Sequence, residues 1–277
     1  MLSIAIIVFR EVLEAALLIG VIAAATRGLA GRRSAILSGV AAGSVLALAV
    51  AGFTGSIARM AEGAGQELFN AVVLAVVVVM LAWHNIWMAS HGREMAVNAR
   101  ETVKQVVSGR SRLSAITIMV TLAVLREGSE TAIFLFGLGA GNDMTFSTML
   151  TGVMLGLLAG IAAGAGLYAG LVRVPLRWFF GVTGGLILLI ASGMAAKLAN
   201  LLIQGDLLPS MVSPLWDTSA WLPMNSQLGS LLHILMGYEA RPSGMQFVFY
   251  AATFTLIAAG MWWSRRTTHR PSRLATI

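Results

Sequence analysis

The chain has 277 residues, of which 57% are hydrophobic and only 11% charged, and it contains no cysteine. A soluble domain needs about 25% charged residues to cover its surface, so a water-soluble fold is excluded and a bilayer is the solvent that fits. The net charge of +7 does not point to nucleic acid, because the basic residues fall in short loops between apolar runs. The lack of cysteine removes disulfides and thiolate metal sites from consideration.

A spanning helix needs about 20 mostly apolar residues, and seven runs qualify. The first, residues 3–26, holds Arg10, Glu11 and Glu14 inside its apolar stretch, unlike the core of a cleavable leader. The second, 35–57, contains Gly39 and Gly43, small residues that let helix backbones approach closely in lipid. The third, 68–90, is entered by Gln66-Glu67-Leu68-Phe69 and ends near Trp83 and Trp87. Residues 91–112 then place Met95, Ala99, Val103 and Val106 at helical spacing among charges, which predicts a short amphipathic surface helix. The fourth run, 115–140, again carries buried-type charges: Arg126, Glu127 and Glu130. The fifth, 146–171, holds Gly152, Gly156, Gly160 and Gly164, and the sixth covers 178–203. The segment 204–245 contains Pro209, Pro214, Pro223 and Pro242 and is therefore not one continuous helix. Leu228, Leu231, Leu232 and Leu235 predict one short apolar turn there, dipping toward the membrane. The seventh run is 246–263, followed by a basic tail.

Every second connection is basic. Arg27, Arg32 and Arg33 follow the first run, Arg93 to Arg112 the third, Arg173 and Arg177 the fifth, and Arg265 to Arg273 the last. The positive-inside rule then puts the N-terminus outside and the C-terminus in the cytoplasm. The basic loops are read as topology determinants and contacts to anionic membrane lipids.

A repeat is visible at a separation of 113–116 residues. Arg10-Glu11-Val12-Leu13-Glu14 recurs as Arg126-Glu127-Gly128-Ser129-Glu130, and Gly39 with Gly43 recurs as Gly152 with Gly156. The expected architecture is all-α: a single membrane domain over 1–277, with repeat A at about 1–112, repeat B at about 113–203, an outer segment 204–245, and a last helix with its tail at 246–277. Three spans per copy force the second copy to face the opposite way, and 3+3 inverted repeats place a transport site at their interface.

Both motifs lie near the middle of their spans, where each charge costs about 2.5–3.5 kcal/mol to insert. Arg10 and Glu14 are four residues apart, as are Arg126 and Glu130; Glu11 and Glu127 sit three residues before the second glutamates, so each carboxylate pair shares a helical face. Two such motifs offer four carboxylates against two arginines, a site for a multivalent cation with hard oxygen donors. A single intramembrane Arg–Glu pair can be a helix fastener. The extra glutamate in each copy is what a fastener does not need.

These doubled motifs, with Gln66-Glu67-Leu68-Phe69, Trp83, Trp87-Met88 and Gly237-Tyr238, resemble the iron permease family of fungal high-affinity iron permeases and bacterial ferrous-iron permeases, over essentially the whole chain. Val12 departs from the glycine common at that place. The resemblance implies iron uptake across the cytoplasmic membrane, with Glu11, Glu14, Glu127 and Glu130 as iron ligands. Arg10 and Arg126 are their supporting ion pairs. It also implies a separate oxidase or extracytoplasmic iron-binding partner. Iron is then the transported substrate and no resident cofactor or enzyme activity is expected.

Glu62 and Glu67, at the outer start of the third run, are possible entrance residues, with Glu239 and Asp217 similarly placed. His84 reads as a packed or interfacial histidine and Lys197 as a snorkelling lysine. Two rival functions are a proton-coupled transporter of another divalent cation and a membrane subunit of an iron-oxidase complex. A carboxylate-bridged metal enzyme is disfavoured, because Glu-x-x-His motifs are absent.

Overall fold

The computed structural model describes residues 1–60, 66–107, 113–140, 145–170 and 176–268. Its elements are α1 (Leu2–Ala25), α2 (Arg32–Met60), α3 (Gln66–Val107), α4 (Ser114–Ala140), α5 (Phe146–Tyr168), α6 (Leu176–Gln204), α7 (Gln227–Met236) and α8 (Gly244–Thr268), with no strand among the described residues. Each of the seven predicted apolar runs is a long helix. The amphipathic stretch after the third run is not a separate helix over its described part. α3 continues through it to Val107, because the lone Gly92 in its path costs only about 1 kcal/mol and no proline intervenes. Residues 108–112 of that expectation lie outside the described residues.

Among the described residues, five helices are long and apolar enough to cross a membrane, over residues 32–56, 68–88, 146–168, 181–204 and 244–264. α1 and α4 match them in length, at 24 and 27 residues, and differ by the three ionisable residues each carries. The protein is a helical membrane protein.

The chain forms two compact units. The first contains α1, α2, α4 and α5. Its packing is glycine-driven and regular. A Cβ on Gly39 of α2 would stand 2.8 Å from Val120 Cβ of α4, and one on Gly43 2.7 Å from Val124 Cβ. On the other side, a Cβ on Gly152 of α5 would stand 2.9 Å from Ile4 Cβ of α1, and one on Gly156 2.8 Å from Val8 Cβ. Ile4 and Val8 lie 116 residues before Val120 and Val124, and Gly39 and Gly43 lie 113 before Gly152 and Gly156, so the two interfaces use equivalent residues. Residue numbers rise together in both pairs, so α2 runs parallel to α4 and α1 parallel to α5. Ile22 near the end of α1 clusters with Ala35 at the start of α2 and with Ile116 and Val120 at the start of α4, so α1 runs antiparallel to both. Thr117 and Thr121 donate their hydroxyls to the carbonyls of Ala35 and Gly39, at 3.2 and 3.3 Å.

The second unit contains the first part of α3 with α6, α7 and α8. Asn85 of α3 donates through Nδ2 to the Gly184 carbonyl of α6 at 2.9 Å. Ser264 of α8 donates to the Ile86 carbonyl at 3.3 Å. Between α6 and α8 the chain folds back on itself. The Gly244 N–H donates to the Val212 carbonyl, Leu215 N–H to Pro242, and Thr218 N–H to Ala240. This antiparallel pairing satisfies backbone groups that the prolines deny to a helix. α7 starts at Ser226, whose hydroxyl oxygen accepts from the Gly229 N–H, and stops at Gly237 in the left-handed conformation, φ 68°.

Candidate cation site

The residues that meet the glycines of α5 and α2, Ile4 and Val8 on α1 and Val120 and Val124 on α4, occupy one side of each helix. The charged motifs fall on the opposite sides, and the antiparallel crossing of α1 and α4 brings them together. Arg10 Nε lies 2.9 Å from Glu14 Oε1, and Arg10 Nη1 lies 3.9 Å from Glu11 Oε1. The second motif repeats the pattern: Arg126 Nε is 3.1 Å from Glu130 Oε1 and 3.9 Å from Glu127 Oε1. In each copy one guanidinium serves two carboxylates, so each motif keeps a formal charge of −1.

One carboxylate oxygen from each of Glu11, Glu127 and Glu130 lies within 4.8 Å of the other two. Cation–oxygen bonds of about 2.0–2.6 Å let a single ion between them reach all three. Glu14 holds Arg10. Arg10, Glu11, Glu14 and Glu127 are buried. The Arg126 side chain is 36% exposed and that of Glu130 17%, so the second motif is the open half of the cluster. Ser129 and Thr131 donate their hydroxyls back to the carbonyls of Arg126 and Glu127 on their own helix.

The softer candidates sort differently. Glu62 lies outside the described residues, as does the side chain of Glu67. Asp217 is committed to Arg241, whose Nη2 sits 2.7 Å from Oδ2. That guanidinium, with the Ser219 hydroxyl and N–H, holds the Asp217 carboxyl well below the usual carboxylate range. Glu239 is half-buried, His84 is buried on α3, and Lys197 is half-buried on α6. Two features escaped the sequence reading. One is the matching of Val12 with Gly160, whose added Cβ would stand 2.8 Å from Val12 Cβ. The other is the placement of Gly237 against Gly193; the Ser226 and Gly237 caps were its only visible signal.

Apolar helices surrounding a buried, net-negative carboxylate cluster define a membrane protein with the makings of a cation path. The chain belongs to the Iron permease FTR1 family, whose model matches residues 1–265. It is 33% identical over 241 residues to the ferrous iron permease EfeU of Escherichia coli O6:H1, covering 86% of this chain and 87% of that protein. It is 31% identical over 248 residues to EfeU of Yersinia pestis, covering 88% and 87%. The family is one of permeases, not of enzymes. No solved structure matches the chain.

Proposed function

We propose that the chain takes up iron across the cytoplasmic membrane. Glu11, Glu14, Glu127 and Glu130 are the ligands that pass the ion, and Arg10 and Arg126 keep them ionised and limit their repulsion between ions. The convergence of Glu11, Glu127 and Glu130 from two antiparallel helices carries this reading, and the permease names of the relatives supply the cargo. Four carboxylates against two guanidinium groups leave a deficit of two positive charges, which a divalent cation fills.

In this reading α1 and α4 also cross the bilayer, giving seven spans. The ion pairs offset the insertion cost of their charges. The N-terminus is outside and the C-terminus cytoplasmic, by the alternation of basic loops. The architecture is a 3+3 inverted repeat with α8 added. The membrane potential then favours entry by about 2.3 kcal/mol per charge per 100 mV. Glu67 and Glu62 are entrance residues, and an oxidase or extracytoplasmic iron-binding protein is a separate partner.

Inverted repeats in general rock against each other. The packing of the first unit favours a different motion. α1 of the first copy is fastened to α5 of the second, and α2 to α4, by backbone-close glycine contacts. Separating the copies would open both interfaces at once. The four helices therefore carry both motifs as one body, and alternating exposure comes from displacement of that body as a whole.

Metal competition in proteoliposomes tests the cargo. Ferrous iron uptake that resists a large excess of magnesium and calcium supports an iron permease. Equal competition by these ions, or uptake driven by a proton gradient with manganese or magnesium as the preferred ion, supports the rival divalent-cation transporter. No uptake by the purified chain alone supports a subunit of an oxidase complex.

A further inference from the structure

The two motifs are built from the same ionisable residues, yet their arginines stand in different surroundings. Arg10 is sealed: its side chain is 3% exposed, and Leu13, its neighbour one helical turn on, is buried. In the second motif the place of Leu13 is taken by Ser129, a short side chain whose hydroxyl donates back to the Arg126 carbonyl at 2.9 Å. Arg126 thus has a small neighbour where Arg10 has a large one, and its side chain is partly exposed. In a spanning helix a charged side chain with such exposure faces a water-filled passage and not lipid.

Arg126 also stands where a cation has to go. Three carboxylates, those of Glu11, Glu127 and Glu130, bring an oxygen each to within 4.8 Å of the others. Two of the three are the partners of Arg126, whose Nε is 3.1 Å from Glu130 Oε1 and 3.9 Å from Glu127 Oε1. A divalent ion bonded to these carboxylates at about 2.0–2.6 Å competes with the guanidinium for them, and the two positive charges repel each other. Arg10 meets less of this conflict. Its close partner is Glu14, at 2.9 Å, and it approaches the converging set only at Glu11, at 3.9 Å. Burial separates the two arginines further. Arg10 has no water to retreat to, whereas Arg126 can carry its charge toward solvent on its flexible stem.

We infer that Arg126 is a displaceable counter-ion: it sits on Glu127 and Glu130 when no cation is bound, withdraws as the cation binds, and returns to expel it, while Arg10 stays on Glu11 and Glu14 throughout. This inference rests on the permease reading and deepens it, giving the two arginines different parts. With both guanidinium groups in place the four carboxylates lack two positive charges. With Arg126 withdrawn they lack three, so the ion is held more tightly, and the return of Arg126 loosens it. Passage needs binding strong enough to admit an ion and weak enough to let it leave. A guanidinium that leaves and returns supplies both from one set of ligands.

The test uses the full chain in lipid nanodiscs with manganese(II) alone as the probe, its free fraction read by electron paramagnetic resonance, and counts only the binding that Glu11→Gln abolishes. Removal of a competing charge should tighten manganese binding about fivefold or more in Arg126→Gln. Arg126→Lys, which restores a mobile charge without the planar fork of a fastener, should bring affinity back to within about twofold of the parent. In iron uptake by proteoliposomes, Arg126→Gln should lower KM and maximal rate together, because release becomes slow. Ser129→Leu leaves every charge in place and gives Arg126 the neighbour that Arg10 has. It should weaken manganese binding about threefold in the parent and leave Arg126→Gln unchanged. Weaker or equal binding in Arg126→Gln, as a fastener or a group that only keeps the glutamates ionised would give, overturns the inference. So does a parent with no manganese binding that depends on Glu11. Unchanged binding in Ser129→Leu overturns it as well, and decides the matter if Arg126→Gln is too unstable to purify. Absence of iron uptake with this binding pattern intact would instead defeat the permease reading alone.

Discussion

Val12 of α1 packs against Gly160 of α5, while the equivalent place on the other side holds the reverse pair, Gly128 of α4 against Ala47 of α2. Val12 and Gly128 are 116 residues apart, and Ala47 and Gly160 are 113 apart, so the large and small partners have changed sides while each interface keeps one glycine. The valine that departs from the usual glycine of the motif is thereby accommodated. A side chain at Gly160 should overpack this contact. Gly160→Val is expected to destabilise the protein by about 1–3 kcal/mol, and Val12→Gly added to it should restore part of the loss, since the Phe9 carbonyl oxygen, 3.0 Å from the same Cβ, stays in place. Thermal unfolding in detergent, followed for both single variants and the double, checks the pairing. Additive losses would show that the two residues do not share a contact.

The two motif arginines differ in burial, and their removal should differ too. Arg10→Ala removes the guanidinium that two buried carboxylates share, and breaking a buried pair costs about 3–5 kcal/mol. The Arg126 side chain is 36% exposed, so water screens the loss and Arg126→Ala should cost clearly less. Unfolding midpoints of the two variants, measured side by side, decide this. Equal losses would contradict the asymmetry of the cluster.

Asp217 and Arg241 give a pH signature outside the membrane. The Asp217 carboxyl is depressed from its ordinary 3.8 by Arg241 and Ser219. A depressed carboxyl contributes stability that is present above the unfolded value and is lost as pH falls through the folded one. The pair is solvent-exposed, so the effect is small. Asp217→Asn should therefore lower the unfolding midpoint slightly at pH 5 to 8, with no slope there, and the gap between variant and parent should begin to narrow only below about pH 4 and shrink further as pH falls. A gap that widens in acid would reverse the sign.

The fastening of α1 to α5 can be tested in a chain that already lacks cysteine. A Cβ on Gly20 of α1 would stand 4.0 Å from Tyr168 Cβ of α5, within the Cβ separations of about 3.5–4.5 Å that disulfides adopt. Gly20→Cys combined with Tyr168→Cys should form a bridge on oxidation and still support uptake at no less than about half the reduced rate if the four helices move as one body. Loss of uptake that returns on reduction would mean that the two copies must separate.

Much of this was legible beforehand because membrane solvent leaves few options. Backbone groups in lipid must pair within a helix, so the apolar runs fixed seven helices and the misplaced charges marked the motifs. Helix partners were less visible. Gly152, Gly156, Gly160 and Gly164 announce close packing, but nothing in their spacing says that they meet α1 and not α4. α7 was partly visible: Leu228, Leu231, Leu232 and Leu235 predicted one short apolar turn and lie on it, whereas the four prolines gave no sign of the contact of Gly193 with Gly237. Glu62 and the side chain of Glu67, read from sequence as entrance residues, lie outside the described residues.

The most direct test of the carboxylate cluster is ferrous iron uptake by proteoliposomes holding the parent chain, Glu11→Gln or Glu130→Gln, at matched abundance and with matched unfolding midpoints. Each substitution removes one of the three converging ligand charges while keeping its shape. Uptake should fall by at least about tenfold in either variant, corresponding to 1.4 kcal/mol or more of lost cation stabilisation. Uptake in both variants equal to that of the parent would mean that the motifs only hold α1 and α4 together, and that iron passes elsewhere.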